Sequence, residues 1–193
     1  MKKLILASQS PRRHQLLREG GFEFEIRVPD VVEDYPSTLM AEEVPLFLAR
    51  KKALAAATQF EIDDDTIIIA SDCVVILNDV IYGKPTDYDD AVRILNDLSG
   101  KMHQVITGVC LYSNTKEETF AGISNVYMDR LTAEEIHDYI TRCKPYDKAG
   151  SYAIQEWIGL CKISRIEGTY SNIMGLPMDL VYRHLNGMMS YER

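Results

Sequence analysis

Several things are scarce in this 193-residue chain. It has only four cysteines, Cys73, Cys110, Cys143 and Cys161. None is paired at CxxC spacing, so neither a zinc site nor a disulfide framework is indicated. Three of them lie in apolar, strand-like stretches, where a buried reduced thiol is the expected state. No apolar run approaches the ~20 residues needed to span a bilayer. The start, Met1-Lys2-Lys3 before a few apolar residues, is too short for a secretory h-region. These absences point to a cytoplasmic protein with no membrane partner. Positive charge is also in deficit, with 21 Lys+Arg against 29 Asp+Glu and a formal net charge of −8. Together with a single Trp, that balance argues against broad nucleic-acid binding, single-stranded RNA included. There is no internal repeat, low-complexity tract or Pro/Gly-rich linker, and residues 1–193 read as a single domain. Neither a Walker A loop nor GxGxxG occurs.

What is present is an alternation of strand and helix patterns. Leu4 to Ala7 reads as a buried strand. Ser10 as N-cap and Pro11 at the first helical position start a helix that Gly20-Gly21 ends. Phe22 to Val28 alternates with period two and predicts a second strand, and Met40 to Thr58 predicts the longest helix, with Lys51 and Lys52 on its flank. Thr66 to Leu77 is apolar enough for a central strand, turning at Asn78-Asp79 into Val80-Ile81-Tyr82. Asp87 to Leu98 predicts a helix, and His103 to Ser113 and Glu118 to Arg130 predict long strands. Thr132-Ala133-Glu134-Glu135 carries the capping-box spacing for a helix reaching about Arg142. Short strands are expected at Tyr152-Ala153-Ile154 and Cys161-Lys162-Ile163, and Leu180 to Leu185 lies in a final helix. The pattern predicts an α/β fold, a mixed twisted sheet flanked by helices.

Polar residues then stand where the pattern does not want them. Arg12 and Arg13 occupy the first turn of a helix, where backbone N–H groups already favour an anion. Guanidinium forks there could grip phosphate oxygens, or simply be tolerated at the surface. Asp72 interrupts the apolar run Ile67-Ile68-Ile69-Ala70-Ser71-Asp72-Cys73-Val74, a costly place for a carboxylate unless it is paired, metal-bound or open to a cleft. Lys84 sits between Gly83 and Pro85 at a strand end. Glu33 lies in a loop, Lys52 on a helix, and Asp147-Lys148-Ala149-Gly150 leads toward Gln155. Carboxylates for a divalent ion (Glu33, Asp72), cations for a polyphosphate (Arg12, Arg13, Lys52, Lys84, Lys148) and an amide for a base (Gln155) suit metal-assisted attack on a phosphate ester.

The order of these motifs resembles the Maf family, nucleoside triphosphate pyrophosphatases linked to septum formation. The segments carrying the resemblance are Ser8-Gln9-Ser10-Pro11-Arg12-Arg13, Leu48-Ala49-Arg50-Lys51-Lys52-Ala53, Ser71-Asp72-Cys73-Val74-Val75 and Gly83-Lys84-Pro85. They continue with Leu98-Ser99-Gly100 and His103, Thr107-Gly108-Val109, Asp147-Lys148-Ala149-Gly150 with Tyr152 and Ile154-Gln155, and Gly175-Leu176-Pro177. The resemblance implies two lobes with a central cleft, an architecture like that of inosine triphosphate pyrophosphatases, and commonly a homodimer. It implies hydrolysis of a nucleoside triphosphate to the monophosphate and pyrophosphate with Mg²⁺ or Mn²⁺. Asp72 would be general base, Glu33 and Asp72 would hold the metal, and Arg13, Lys52 and Lys84 would face the triphosphate. Arg12, Cys73 and Gln155 would set selectivity. The Ile-Gln ending resembles the branch acting on dTTP and UTP, whereas the 7-methyl-GTP branch tends to carry Ser-Glu. Cys73 departs from the Thr usual in that branch. A nucleotide-sensing division regulator without turnover is the alternative.

Overall fold

The structure is a computed structural model that describes residues 2–190. Its elements are β1 (Lys3–Leu6), α1 (Pro11–Glu19), β2 (Glu25–Ile26), α2 (Val44–Gln59), β3 (Thr66–Leu77), β4 (Val80–Tyr82), α3 (Tyr88–Leu98), β5 (Met102–Tyr112) and β6 (Glu117–Met128). After these come α4 (Ala133–Cys143), α5 (Trp157–Cys161), β7 (Ile163–Glu167), α6 (Tyr170–Ile173) and α7 (Met178–Ser190). Two 3₁₀ turns, Pro145–Asp147 and Ala149–Ser151, lie between α4 and α5. The seven strands form one sheet in the order β2-β1-β3-β5-β6-β7, with β4 paired to β3. Its first three strands are parallel, and β3, β5, β6 and β7 pair antiparallel. This is the expected mixed sheet.

Strand alternation distributes the core. Ile67 and Ile69 pack with Leu16 and Leu17 of α1 and Val181 and Leu185 of α7, while Val75 and Leu77 meet Ile94, Leu95, Ile136 and Tyr139 of α3 and α4. One sheet face therefore carries two helix groups, one over each half of β3. The even-numbered residues face α2: Ile68 and Ala70 pack on Ala49, Ala53 and Ala56, and Val74 and Ile76 on Val44 and Leu48. Thus α2 runs antiparallel to β3 along its length.

Capping follows sequence chemistry in most places. The Thr132–Glu135 capping box is formed, and Asp87 accepts from the Asp90 N–H. Asn78 and Asp79 both adopt left-handed φ, 51° and 62°, as a tight two-residue hairpin turn requires. At α1 the cap differs: Ser10 makes no side-chain cap bond, and the Ser8 hydroxyl instead accepts from the Ser10 N–H at 3.2 Å.

Five expectations are corrected. Only Glu25 and Ile26 of the Phe22 to Val28 pattern pair as strand, because Phe22 and Phe24 serve as packing against the α1 and α7 core. The long helix begins at Val44, four residues late, since a turn occupies the preceding positions. Tyr152 to Ile154 is irregular, and Cys161 ends a short helix rather than starting a strand. Of the cysteines only Cys110 is buried, with Cys73 and Cys143 half-buried and Cys161 exposed. Among the described residues no helix is long and apolar enough to cross a membrane.

Candidate active site

A cavity of about 670 Å³ is lined by Ser8, Arg12, Arg13, Glu33, Lys52, Asp72, Cys73, Lys84, Lys148 and Gln155. Every candidate residue from the sequence thus reaches one space. They come from the start of α1, the loop before α2, the middle of α2, the middle of β3, the segment after β4 and the irregular stretch before α5.

Asp72 is an even-numbered residue of β3, so it faces α2, and Lys52 meets it there with Nζ 2.7 Å from Oδ1. Both side chains are only 11% exposed. Lys52 belongs to the stripe Leu48, Lys52, Ala56 at i, i+4 and i+8, which is why it is buried although the sequence puts it on the flank of the helix. The same ammonium lies 2.9 Å from Glu33 Oε1. Glu33 is pulled two ways: partial burial would raise its pKa, but the hydrogen bond and charge of Lys52 outweigh that and lower it. Two carboxylates therefore converge on one cation.

Backbone proximity holds this arrangement. Asp72 pairs across the ladder with Gly108 of β5. A Cβ on Gly108 would lie 2.3 Å from the Pro45 carbonyl oxygen and 2.6 Å from the Leu46 nitrogen. The first turn of α2 rests on bare backbone there, and only glycine permits the approach.

The adjacent arginines have different surroundings. Arg13 Nε donates to the Gly175 carbonyl at 2.9 Å, and Nη1 donates to the Ser71 carbonyl at 2.8 Å and the Ser8 hydroxyl at 3.2 Å. It ties α1, β3 and the Gly175 turn together at the cavity wall. Burial lowers its pKa, with the nearby Asp72, Cys73 and Glu33 opposing that effect. Arg12 instead reaches Asp147 at 3.1 Å. Lys84 is exposed and forms no ion pair among the described residues; its charge helps lower Glu33.

Asp147 continues the chain of charges, with Lys148 Nζ at 2.7 Å, and Lys148 also lies 3.4 Å from Glu156. Although partial burial raises its pKa, the bonds from Lys148 and Arg12 leave Asp147 lowered overall. Gln155 Oε1 is buried and has no hydrogen-bond partner among the described residues. An unpaired buried acceptor is expensive, so this atom suits a ligand donor. Cys73 faces away from α2; burial raises its thiol pKa despite the opposing Thr107 hydrogen bond and Arg13 charge, so it is present as a weakly hydrogen-bonding thiol. Behind it the Thr107 hydroxyl donates to the Asn172 carbonyl at 2.9 Å.

The family model described as Maf-like protein matches residues 3–188 of this chain. The chain belongs to that family. Among Maf-like relatives, the dTTP/UTP pyrophosphatase of Porphyromonas gingivalis W83 is 48% identical over 95% of this chain and 92% of its own length. That of Phocaeicola vulgatus is 48% identical over 95% and 94%, and that of Flavobacterium psychrophilum 42% over 95% and 93%. Among solved structures, the Staphylococcus aureus Ham1 protein aligns at TM-score 0.47 and 16% identity, over 66% of this Maf-like chain and 72% of the other.

The sequence missed the partners that fix these groups. Neither Tyr139 nor Glu156 was singled out in the sequence, yet their contacts bracket Gln155. Gly175 and Ser8 stood in quoted motifs but gave no sign of being Arg13 acceptors.

Proposed function

We propose that this Maf-like chain hydrolyses dTTP and UTP to the nucleoside monophosphate and pyrophosphate, by attack of water at the α-phosphorus. The observation that carries the reading is Asp72, a carboxylate set into an otherwise apolar strand at the wall of a cavity lined by cations. The curated relatives bearing that activity in their names align over nearly the whole chain.

Asp72 is the general base. Lys52 holds its Oδ1, and Oδ2 has no protein partner among the described residues, so that oxygen is placed to accept the proton of an attacking water. Lys52, Lys84 and Arg13 put positive charge along the cavity and favour the extra charge that develops on departing pyrophosphate. Arg13 does so as a fixed charge, since Nε and Nη1 are already engaged by the protein. Arg12 lies toward the selectivity end with Cys73 and Gln155.

A divalent ion, Mg²⁺ or Mn²⁺, fits the donor set. Among the described residues no three His, Cys, Asp or Glu form a protein-only cage, but Asp72 and Glu33 already converge on a single cation. One or two carboxylates completed by substrate phosphate oxygens is the usual arrangement for Mg²⁺. When bound, the ion supplies charge neutralisation on the phosphates and a more acidic water.

Gln155 supplies the base reading. Its unpartnered Oε1 can accept from the N3–H of uracil or thymine while its amide donates to O4; cytosine presents the opposite polarity. The four free cysteines suit a reducing, cytoplasmic setting. Pyrophosphate release from dTTP, UTP, CTP, 7-methyl-GTP, GTP and ITP with Mg²⁺ tests the reading. Preferential release from dTTP and UTP is expected. Tight binding without release from any of them would make the chain a sensor instead.

A further inference from the structure

Gln155 stands in an irregular stretch, yet the chain on either side of it is tied to a helix outside the cavity, through a backbone N–H before it and a side-chain carboxylate after it. The Ala153 N–H donates to the Tyr139 hydroxyl at 3.2 Å, and that hydroxyl donates to the Glu156 carboxylate. Tyr139 is fully buried in the core of α4 and does not line the cavity. One phenol therefore grips the chain two residues before Gln155 and one residue after it. From below, the stretch is pressed against α5: a Cβ on Gly159 would lie 1.8 Å from the Ile154 carbonyl oxygen. Glu156 also approaches Lys148 at 3.4 Å, so the clamp joins the line of charges running through Asp147 to Arg12. Burial first, and the adjacent Glu156 second, keep the phenol protonated and able to donate.

We infer that Tyr139 is a positioning residue for base selectivity: its hydroxyl holds residues 153–156 so that the Gln155 amide meets the 3,4-edge of a pyrimidine in one orientation. This rests on Gln155 reading the base, as proposed above. Gln155 has no side-chain bond of its own among the described residues, so its aim is inherited from the backbone that Tyr139 fixes. A wobble of that backbone would pull the amide off the uracil edge, and the advantage of UTP over CTP would shrink.

UTP and CTP differ only at that edge, which makes them the probe. Tyr139→Phe keeps the ring in the core and removes both hydroxyl bonds. The ratio of kcat/KM for UTP over CTP is expected to fall about tenfold, the scale of one lost buried hydrogen bond. The loss should come from a higher KM for UTP, with kcat for UTP and both CTP constants held, because the catalytic groups stand on other elements. Glu156→Ala should reproduce the loss, and Glu156→Gln, whose amide oxygen still accepts from the phenol, should restore the ratio. Tyr88→Phe is the control, since Tyr88 Oη bonds His137 of the same helix but touches nothing near Gln155.

A ratio that stays within about twofold in Tyr139→Phe overturns the inference, as does an equal fall in Tyr88→Phe, which would mark general loosening of α4. Should Tyr139→Phe fail to fold, the Glu156 pair carries the same test. Failure of the functional reading would look different: the unaltered protein would itself show no preference for UTP over CTP.

Discussion

The two ends of the cavity are built by different means. At one end Asp72, Lys52 and Arg13 stand on β3, α2 and α1, regular elements whose backbone bonds satisfy themselves. At the other, residues 147–156 have no α-helix or strand beyond short 3₁₀ turns, and side chains do the holding: Lys148 to Asp147 and Glu156, Tyr139 to Ala153 and Glu156. The first end depends on ladder and helix geometry, the second on individual polar contacts. On the proposed reading, the groups that accept a proton or meet phosphate charge are placed by the fold, whereas the group assigned to the base is placed by a few bonds that substitution can retune.

The sharpest way to separate the ends is Asp72→Asn. The amide still accepts from Lys52, so the fold should persist, but the proposed base is gone. Turnover of dTTP should drop by about 10³-fold, within the range for general-base loss, with the melting temperature little changed. Equal turnover would show that the chemistry is not centred on this end at all.

His103 probes what supports the second end. It is buried, with Nε2 2.7 Å from the hydroxyl of Tyr152, a cavity-lining residue. Burial lowers its pKa to about 4, the Lys101 backbone opposing weakly. The unfolded chain binds a proton near pH 6.5 and the folded one does not until about pH 4. Stability is therefore whole above pH 6.5 and falls as pH drops toward 4, by about 3 kcal/mol in all. His103→Gln should flatten the fall in melting temperature between pH 7 and 4.5; parallel slopes would remove His103 from this role.

Gln155→Glu gives the smallest effect. One donor is lost and a charge appears, so kcat/KM for UTP should fall by about tenfold. A matching fall for CTP would mean that Gln155 does not read the base edge, and would erase the division between the two ends.

That division also explains what could be read from the chain. Period-two and helical patterns placed β3, α3, α4 and the long hairpin strands, because those elements bury one consistent face. Asp72 was visible for the same reason: a carboxylate breaks an apolar run. Lys52 was harder, since its burial follows from the strand that α2 packs on, and the i, i+4 stripe with Leu48 and Ala56 was the available sign. Strand endings failed where tertiary packing overrode alternation, as at Phe22 and Phe24, which turn to the core instead of extending β2. The Tyr139 clamp could not be read locally, because 14 residues separate Tyr139 from Ala153 and no periodicity links them.

The contact at Gly108 sets a tolerance. Main chain lies on main chain there, with no rotamer on either side that could be exchanged to open or close the gap. Side chains elsewhere under α2 can drift in size and the helix can rock about this point, much as a lever rocks on its fulcrum. Lys52 stands about two turns from the pivot, so a given tilt moves it less than it moves the far end of α2 at Gln59. Core substitutions beneath α2 should therefore disturb the pair less than they disturb the end of the helix.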